Sequence, residues 1–171
     1  MIITAGKYKG QKITAPDENI TRPTLSKVRM SVFNTLQALI DFEGKSFLDM
    51  YAGSGIMGLE AISRGFKSAL AIEKNPKAAA IVKNNFKKFP DAPSLFVGDS
   101  LKIVQRFNEK FDVIYIDPPY FSEIYEKSLD AVKNIASNIV ILEHAGKVDV
   151  SGFNPIKQKK YGDKFITFLS V

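Results

Sequence analysis

Short apolar runs alternate with helix-like segments through most of the chain. Five runs of four or five residues have the character of buried strands, and they lie at 47–50, 68–72, 94–97, 112–116 and 138–142. A helix-like segment follows each of the first four, and these helices are predicted to end near Arg64, Lys88, Phe107 and Ala136. Strands that alternate with helices predict a mostly parallel sheet covered on both faces. The pattern therefore indicates an α/β fold.

The two ends of the chain depart from this alternation. Residues 1–14 predict a short strand pair that turns near Gly10, and the apolar spacing that follows Thr24 predicts an amphipathic helix. Residues 156–171 predict a hairpin that turns at 161–163. This hairpin would add an antiparallel strand to the sheet.

Charge narrows the class of partner. The 171 residues are enough for one ordinary domain, and they carry a formal net charge of +6. Residues 1–34 hold six basic residues against two acidic ones, so a net +4 of this charge lies near the N-terminus. Such an excess favours an anionic partner. We therefore divide the chain into a basic N-terminal extension, residues 1–45, and an α/β domain, residues 46–171.

Several kinds of site are excluded by residues that the chain lacks. There is no cysteine, which excludes disulfides, cysteine–zinc sites and a cysteine nucleophile, and the single histidine, His144, excludes a histidine-rich metal site. No apolar run approaches the ~18 residues of a membrane-spanning helix, and the N-terminus has no secretory apolar segment. These features favour a cytoplasmic protein with neither a metal nor a membrane partner.

A glycine-rich turn follows the first predicted strand. Gly53, Gly55 and Gly58 match the pattern G-x-G-x-x-G, and Glu73 lies 20 positions after Gly53, at the end of the next strand. In a doubly wound sheet such glycines let a nucleotide-type cofactor approach the backbone, and the acid binds its ribose. The pattern does not by itself choose between NAD and S-adenosylmethionine. Without a ligand, it would be a tight strand-to-helix turn.

Two further carboxylates bear on the cofactor. Asp49 comes just before the glycine turn, where it would repel a pyrophosphate but attract the sulfonium and ammonium groups of S-adenosylmethionine. Asp99 follows the third strand and would lie at the same sheet edge, as a partner for an adenine amino group or as the cap of a helix that starts at Ser100. Asp49 therefore favours S-adenosylmethionine.

The tetrapeptide Asp117-Pro118-Pro119-Tyr120 directly follows the fourth strand. First and fourth strands are neighbours at the switch point of such sheets, so Asp117 should face the cofactor. The Asp117 carboxylate and the Pro118 carbonyl could accept hydrogen bonds from an exocyclic amino group, and the two prolines would stiffen this clamp. Tyr120 offers a ring on which a base can stack. The methyl group would then pass in line to the nitrogen, with no metal. The alternative interpretation of the tetrapeptide is a stiff turn with a surface tyrosine.

The chain resembles the RsmD family of 16S ribosomal RNA (guanine-N2)-methyltransferases from end to end. The segments that carry this resemblance are residues 6–10, 22–24, 28–29, 33–34, 48–55, 58–61, 63–65, 73–74, 117–120, 143–144 and 160–162. The departures are mild: Met50-Tyr51 stands where Leu-Phe is more usual, and Met30 where the family often has an acid.

The resemblance implies a Rossmann-like methyltransferase fold. This fold has a mostly parallel seven-stranded sheet with a C-terminal antiparallel hairpin strand, and a short N-terminal hairpin and helix extension. It also implies S-adenosylmethionine as the cofactor, held by Asp49, Tyr51, Gly53, Ser54, Gly55, Glu73, Asp99 and Asp117. The residues expected to contact RNA are Lys7, Tyr8, Lys9, Lys12, Arg22, Arg29 and Tyr120.

The implied reaction is methylation of a guanine amino group in small-subunit ribosomal RNA, at guanine 966 in the usual numbering. The base would be flipped out of its stack into the pocket of the Asp117–Tyr120 loop. The expected partner is 16S ribosomal RNA, either alone or within a small-subunit particle, and a monomer is expected. The alternatives are a DNA amino-methyltransferase, an NAD-dependent oxidoreductase and a non-catalytic RNA-binding factor. His144, near the site, would bind substrate or serve a structural role.

Overall fold

One seven-stranded sheet runs through the computed structural model, which describes residues 1–17, 26–119 and 122–171. Its order is β3-β2-β1-β4-β5-β7-β6; β1 to β5 pair in parallel, and β7 is antiparallel to both β5 and β6. This arrangement confirms the predicted fold class. The strands are β1 (Ser46–Asp49), β2 (Ser68–Glu73), β3 (Ser94–Val97), β4 (Phe111–Ile116), β5 (Ala136–Ala145), β6 (Asn154–Tyr161) and β7 (Lys164–Ser170).

Helices cover both faces of the sheet, and the sheet separates two apolar clusters. Helices α1, α2 and α3 contribute to one cluster, and α4 and α5 contribute to the other. Side chains of Asn75 and Asp99 cap α3 and α4, each by accepting hydrogen bonds from two backbone N–H groups of the first turn. The helices are α1 (Ser26–Leu39), α2 (Ile56–Ser63), α3 (Pro76–Phe86), α4 (Ser100–Val104) and α5 (Ser122–Val132).

The order of strands brings the predicted site residues to one edge of the sheet. Strand β1 lies between β2 and β4, with Asp49 opposite Ala71 on one side and Tyr115 on the other. Since the strands are parallel, the segments that leave their carboxyl ends meet at this edge. The predicted neighbourhood of the first and fourth strands is therefore confirmed.

Four details differ from the sequence-based prediction. The N-terminal strand pair is reduced to one antiparallel bridge, between Ile2 and Lys12. Helix α4 ends at Val104 rather than near residue 107, because the chain tightens there into i→i−3 hydrogen bonds. Helix α5 ends at Val132, since the chain turns to enter β5 at residue 136. Strand β3 lies at the sheet edge, and its residues are largely exposed.

The N-terminal extension packs against α2 and shares its core. The backbone N–H of Lys7 donates to the Ser63 carbonyl at 2.8 Å, and the N–H of Tyr8 donates to Ser63 Oγ at 2.9 Å. Ile3 and Ile13 are buried in the same cluster as α1 and α2. The division at residue 45 thus stays a prediction from the sequence. No helix in the described segments is both long and apolar enough to span a membrane.

Candidate active site

The glycine turn is held by the acid that follows β2. The N–H of Gly53, at a φ of +56°, donates to Glu73 Oε2 at 2.8 Å, and the N–H of Asn75 donates to Glu73 Oε1 at 2.8 Å. Lone pairs remain on both carboxylate oxygens, so Glu73 can also accept hydrogen bonds from ligand hydroxyls. Gly53, Ser54 and Glu73 line one pocket of about 590 Å³, a size suited to a small-molecule cofactor.

Gly55 serves the packing of the turn. Its φ is +78°, and an added Cβ would lie 2.6 Å from Phe86 Cε1 on α3. Gly55 does not line the pocket, unlike Gly53 and Ser54. Gly58 likewise faces chain atoms, since an added Cβ would lie 3.0 Å from Pro93 Cγ. Of the three glycines in the motif, the structure thus brings only Gly53 to the pocket.

Asp49 lies in the pocket wall with a carboxylate that the protein leaves half unsatisfied. The residue is 1% exposed; Oδ1 accepts a hydrogen bond from the N–H of Tyr51 at 3.4 Å, and Oδ2 has no hydrogen-bond partner among the described residues. Burial raises the pKa of Asp49 to about 8, and the negative charges of Asp117 and Glu73 add to this rise. A buried, unpartnered acceptor of this kind is suited to a cationic ligand group.

Asp99 and Tyr51 both line the pocket and are bonded to neighbouring side chains. Asp99 caps α4 and accepts a hydrogen bond from Lys74 Nζ at 2.9 Å, which lowers the pKa of Asp99. The hydroxyls of Tyr51 and Ser128 are 2.7 Å apart. The helix-cap alternative for Asp99 is therefore present in the structure, at a position that also faces the pocket.

The residues after β4 enter the same pocket. Asp117, Pro118 and Pro119 line it together with Asp49 and Lys164. The side chain of Asp117 is 20% exposed, whereas Asp49 is buried. Tyr120 lies outside the described residues, so its predicted role as a stacking ring stays a prediction. The structure thus places Asp117 at the mouth of a pocket and Asp49 in its wall.

A charged network beside Asp117 was not predicted from the sequence. Lys164 Nζ lies 3.8 Å from Asp117 Oδ1 and forms an ion pair with Glu143, whose Oε2 accepts a hydrogen bond from the Tyr115 hydroxyl at 2.8 Å. Burial raises the pKa of Tyr115 well above its usual value, so its hydroxyl stays a donor. Only the pairing of β7 with β5, which sets Lys164 opposite Ala145, reveals this proximity.

The residues predicted to contact RNA have different fates. Lys7 and Tyr8 both bond to Asp91, and Tyr8 packs on Phe89 at 4.8 Å between ring centroids. Lys9 and Lys12 are exposed. Arg22 lies outside the described residues.

The structure contradicts the assignment of Arg29 to the RNA surface. Arg29 is 1% exposed, its Nε lies 3.5 Å from Glu60 Oε1, and its Nη2 donates to the Ile2 carbonyl at 2.8 Å. A guanidinium committed to a buried carboxylate cannot reach a phosphate on the surface. Arg29 instead fastens the N-terminal extension to α2.

His144 is placed in a structural hydrogen-bond chain. Its Nε2 lies 2.9 Å from Thr167 Oγ1 and its Nδ1 lies 3.1 Å from the Gly146 carbonyl, which a neutral ring protonated at Nδ1 satisfies. Burial lowers the pKa of His144. The ring is buried and does not line the pocket, which favours the structural role over substrate binding. In the described part of the chain, no three acidic or histidine side chains group closely enough to hold a metal ion.

Known proteins with a similar sequence or the same fold are named as methyltransferases. The Bacillus subtilis protein named "Putative rRNA methyltransferase YlbH" is 32% identical over 151 residues, which cover 85% of this chain and 79% of that protein. "Ribosomal RNA small subunit methyltransferase D" of Buchnera aphidicola is 32% identical over 136 residues, or 77% of this chain and 69% of that protein. The solved structure titled "Putative methyltransferase yhhF from Escherichia coli" shares the fold, with a TM-score of 0.87, 22% identity and coverage of 99% and 97%.

A family model agrees with these relatives. The model described as "Conserved hypothetical protein 95" matches residues 1–170, nearly the whole chain. The resemblance drawn from the glycine turn, from Glu73 and from the Asp-Pro-Pro-Tyr loop is therefore confirmed. The chain belongs to the RsmD family of methyltransferases, which this model describes.

Proposed function

We propose that this protein transfers a methyl group from S-adenosylmethionine to the exocyclic amino group of a guanine in small-subunit ribosomal RNA. The observation that carries the proposal is the pairing of two carboxylates at neighbouring strand ends. Asp49, sealed and unpartnered at one oxygen, and Asp117, partly open, line the same pocket. Asp49 suits a cationic methyl donor, and Asp117 suits an amino group that accepts the methyl group.

The pocket residues fit this cofactor. S-adenosylmethionine supplies an electrophilic methyl group on a positively charged sulfur, next to an ammonium group. Asp49 would hold the cationic part, since its Oδ2 lacks a partner among the residues that the structure describes. Glu73 would accept hydrogen bonds from the ribose hydroxyls, and Asp99 would face the adenine amino group. Tyr51, Gly53 and Ser54 would complete the wall.

Asp117 and Pro118 would orient the target nitrogen. The lone pair of an exocyclic amino group is delocalised into the base, so two acceptors aimed at its N–H bonds would favour a more tetrahedral nitrogen. The Asp117 carboxylate and the Pro118 carbonyl supply these acceptors, and Lys164, 3.8 Å from Asp117, stabilises the carboxylate charge. In this proposal Asp117 would also take the proton that the nitrogen loses. Positioning and local electrostatics would then provide most of the rate.

The names of the relatives support ribosomal RNA as the substrate. Two of them are described as acting on ribosomal RNA, and one specifically on the small subunit. The RsmD resemblance adds the guanine N2 atom and position 966. The base would be flipped to reach Asp117, at a cost of a few kcal/mol that is lowest in an unpaired loop. The substrate is either the RNA alone or a small-subunit particle.

Methyl transfer by an Asp117→Ala variant tests the proposal. We expect wild-type protein to move a labelled methyl group from S-adenosylmethionine to small-subunit RNA or particles. Asp117→Ala should lose at least 100-fold in rate, because a positioned acid–base group typically contributes about 10²–10⁴, while calorimetry shows cofactor binding within about threefold of wild type. Asp41→Ala removes an exposed carboxylate at the far edge of the sheet and should keep full activity.

Other results would contradict the proposal in identifiable ways. An unchanged rate in Asp117→Ala would remove this residue from the chemistry. Transfer to duplex DNA but not to ribosomal RNA would favour the DNA amino-methyltransferase. Tight binding of NAD without binding of S-adenosylmethionine would favour the oxidoreductase. Binding of RNA without any methyl transfer would leave a non-catalytic RNA-binding factor.

A further inference from the structure

We infer that a basic surface between α1 and β6 binds the phosphates of the RNA that flank the target base. We call this surface the α1–β6 seam and define it by Lys27, Lys157 and Lys159. The inference rests on the proposed function, because it takes RNA as the substrate. It assigns the phosphate contacts to a different part of the chain from the N-terminal residues 7–12.

The two elements of the seam carry only positive charge. Apart from Arg29, which is buried against Glu60, helix α1 and strand β6 hold four basic residues and no acidic residue, although the whole chain has 18 acids. No carboxylate of the described residues forms an ion pair with Lys27, Lys157 or Lys159. By contrast, Lys7 in the extension is bonded to Asp91. The lysines of the seam thus form an electropositive strip that no described carboxylate neutralises.

Contacts between the two elements hold the strip together. Lys159 Nζ donates to Ser31 Oγ at 3.0 Å, and the Tyr161 hydroxyl also bonds to Ser31. Lys157 lies two residues before Lys159 and therefore on the same face of β6. Lys27 precedes Ser31 by one helical turn, so it lies beside the same contact. Lys27 and Lys157 are both exposed.

The seam begins at the rim of the candidate active site. Strand β6 runs toward the carboxyl edge of the sheet, and its last residue, Tyr161, pairs with Lys164, which lines the pocket. On the other side of the seam, α1 reaches the same end of β6, since Ser31 bonds to the Tyr161 hydroxyl. An RNA strand whose base occupied the pocket would therefore extend over the seam.

Charge complementarity favours RNA phosphates over a second copy of this chain. Strand β6 is an edge strand whose outer hydrogen-bonding groups could in principle pair with another strand. Lysines along an edge strand oppose such pairing, and two basic copies would repel each other. Polyanionic RNA, in contrast, releases counterions when lysines replace them.

The salt dependence of RNA binding by matched double variants tests the inference. The seam variant is Lys27→Ala with Lys157→Ala, which leaves the Lys159–Ser31 contact in place. The control is Lys67→Ala with Lys110→Ala, two exposed lysines that precede β2 and β4 at the opposite edge of the sheet. The probe is an in vitro transcript of small-subunit ribosomal RNA, titrated at several salt concentrations.

The expected result is a change confined to the seam variant. Loss of two phosphate contacts should weaken binding about 10- to 50-fold at 0.1 M salt and reduce the slope of log affinity against log salt by about 1.5. The control should stay within about threefold of wild type. Equal losses of affinity in both variants would indicate a general charge effect and overturn the inference. A seam variant that binds RNA like wild type would overturn it as well.

Two further measurements separate this inference from the proposed function. If wild type methylates the RNA while the seam variant binds it normally, the seam is wrong and the proposed function stands. If wild type neither binds nor methylates small-subunit RNA, whether free or in particles, both fail. Sedimentation of wild type and seam variant adds the remaining alternative: a wild-type dimer that the substitutions alter would assign the seam to self-association and overturn the inference.

Discussion

At the scale of single residues, the site holds a carboxylate that the protein stabilises poorly by itself. Asp49 is buried, lacks a partner at Oδ2 in the described structure, and lies near the charges of Asp117 and Glu73. Such a group lowers the stability of the empty protein unless it stays protonated. A bound cation would relieve this cost. Stability without ligand and affinity for the cofactor should therefore respond in opposite directions to changes at this residue.

Replacement of Asp49 by Asn tests this opposition. The pKa of Asp49 is about 8 in the folded protein against 3.8 unfolded, so the folded state binds the extra proton across this interval. The stabilisation that comes from binding this proton is fully present below pH 4. As the pH rises, the free energy of unfolding falls by ~1.4 kcal/mol per pH unit until about pH 8. Asn does not titrate, so the variant should gain stability over wild type as the pH rises, by up to a few kcal/mol, while losing cofactor affinity at least tenfold.

Urea unfolding without cofactor at pH 5 and pH 8, together with calorimetric titration of S-adenosylmethionine, measures both effects. Asp163→Asn, in the exposed turn between β6 and β7, is the matched control and should leave the difference between the two pH values unchanged. A pH dependence of Asp49→Asn identical to that of wild type would show that Asp49 is not a buried titrating group.

Residue types predicted much of the site but not its charge balance. Asp49, Glu73 and Asp117 were predicted because each directly ends or follows an apolar strand, and such positions share one edge of a parallel sheet. Lys164 was missed because its place depends on the register between β7 and β5. Arg29 was misassigned because its charge alone does not tell that Glu60, 31 positions later, pairs with it inside the protein.

At the scale of elements, the turn between β1 and α2 combines a required backbone conformation with close packing. Gly55 has a φ of +78° and sits against Phe86 of α3. The sequence motif predicted the turn, but only the structure separates the glycine that faces the pocket, Gly53, from the glycine that allows α2 and α3 to pack.

Gly55→Ala should therefore destabilise the protein through two separable effects. The left-handed φ costs about 1–2 kcal/mol and overpacking against Phe86 adds about 1–3 kcal/mol. Gly44→Ala, at a φ of +75° with no atom within 4 Å of an added Cβ, should show the first effect alone. Urea unfolding of both variants, and of Gly55→Ala combined with Phe86→Leu, measures the difference; equal losses at Gly44 and Gly55 would contradict the packing role.

The boundaries of elements were predicted where local signals are strong. Asp99 caps α4, so the start of this helix at Ser100 was predicted from the sequence. Helices α4 and α5 end earlier than predicted. Residues 105–107 and 133–136 still have helical spacing, but they lead the chain into the next strand. The N-terminal strand pair is shorter than predicted: Met1 and Ile3 exchange backbone hydrogen bonds with residues 10–13, but the N–H groups of Thr4, Lys7 and Tyr8 donate to α2 instead.

At the scale of the whole molecule, the positive charge on the surface does not follow the positions of basic residues along the chain. The sequence concentrates a net +4 in residues 1–34, yet Arg29 is buried against Glu60 and Lys7 is bonded to Asp91. Strand β6, far along the chain, joins α1 in space and adds Lys157 and Lys159 to the face that carries Lys27. The basic face is therefore a product of the fold. A monomer remains the expected state, because this face would repel a second copy.

The identity of the methylated nucleoside tests the central claim most directly. Small-subunit RNA or particles would be incubated with the protein and with S-adenosylmethionine that carries an isotopically labelled methyl group, then digested to nucleosides for mass spectrometry. The clamp formed by Asp117 and Pro118 predicts a label on an exocyclic amino nitrogen, and the RsmD resemblance predicts that this nitrogen is N2 of guanine. A label on a ring carbon or a ribose oxygen, or RNA without any label, would contradict it.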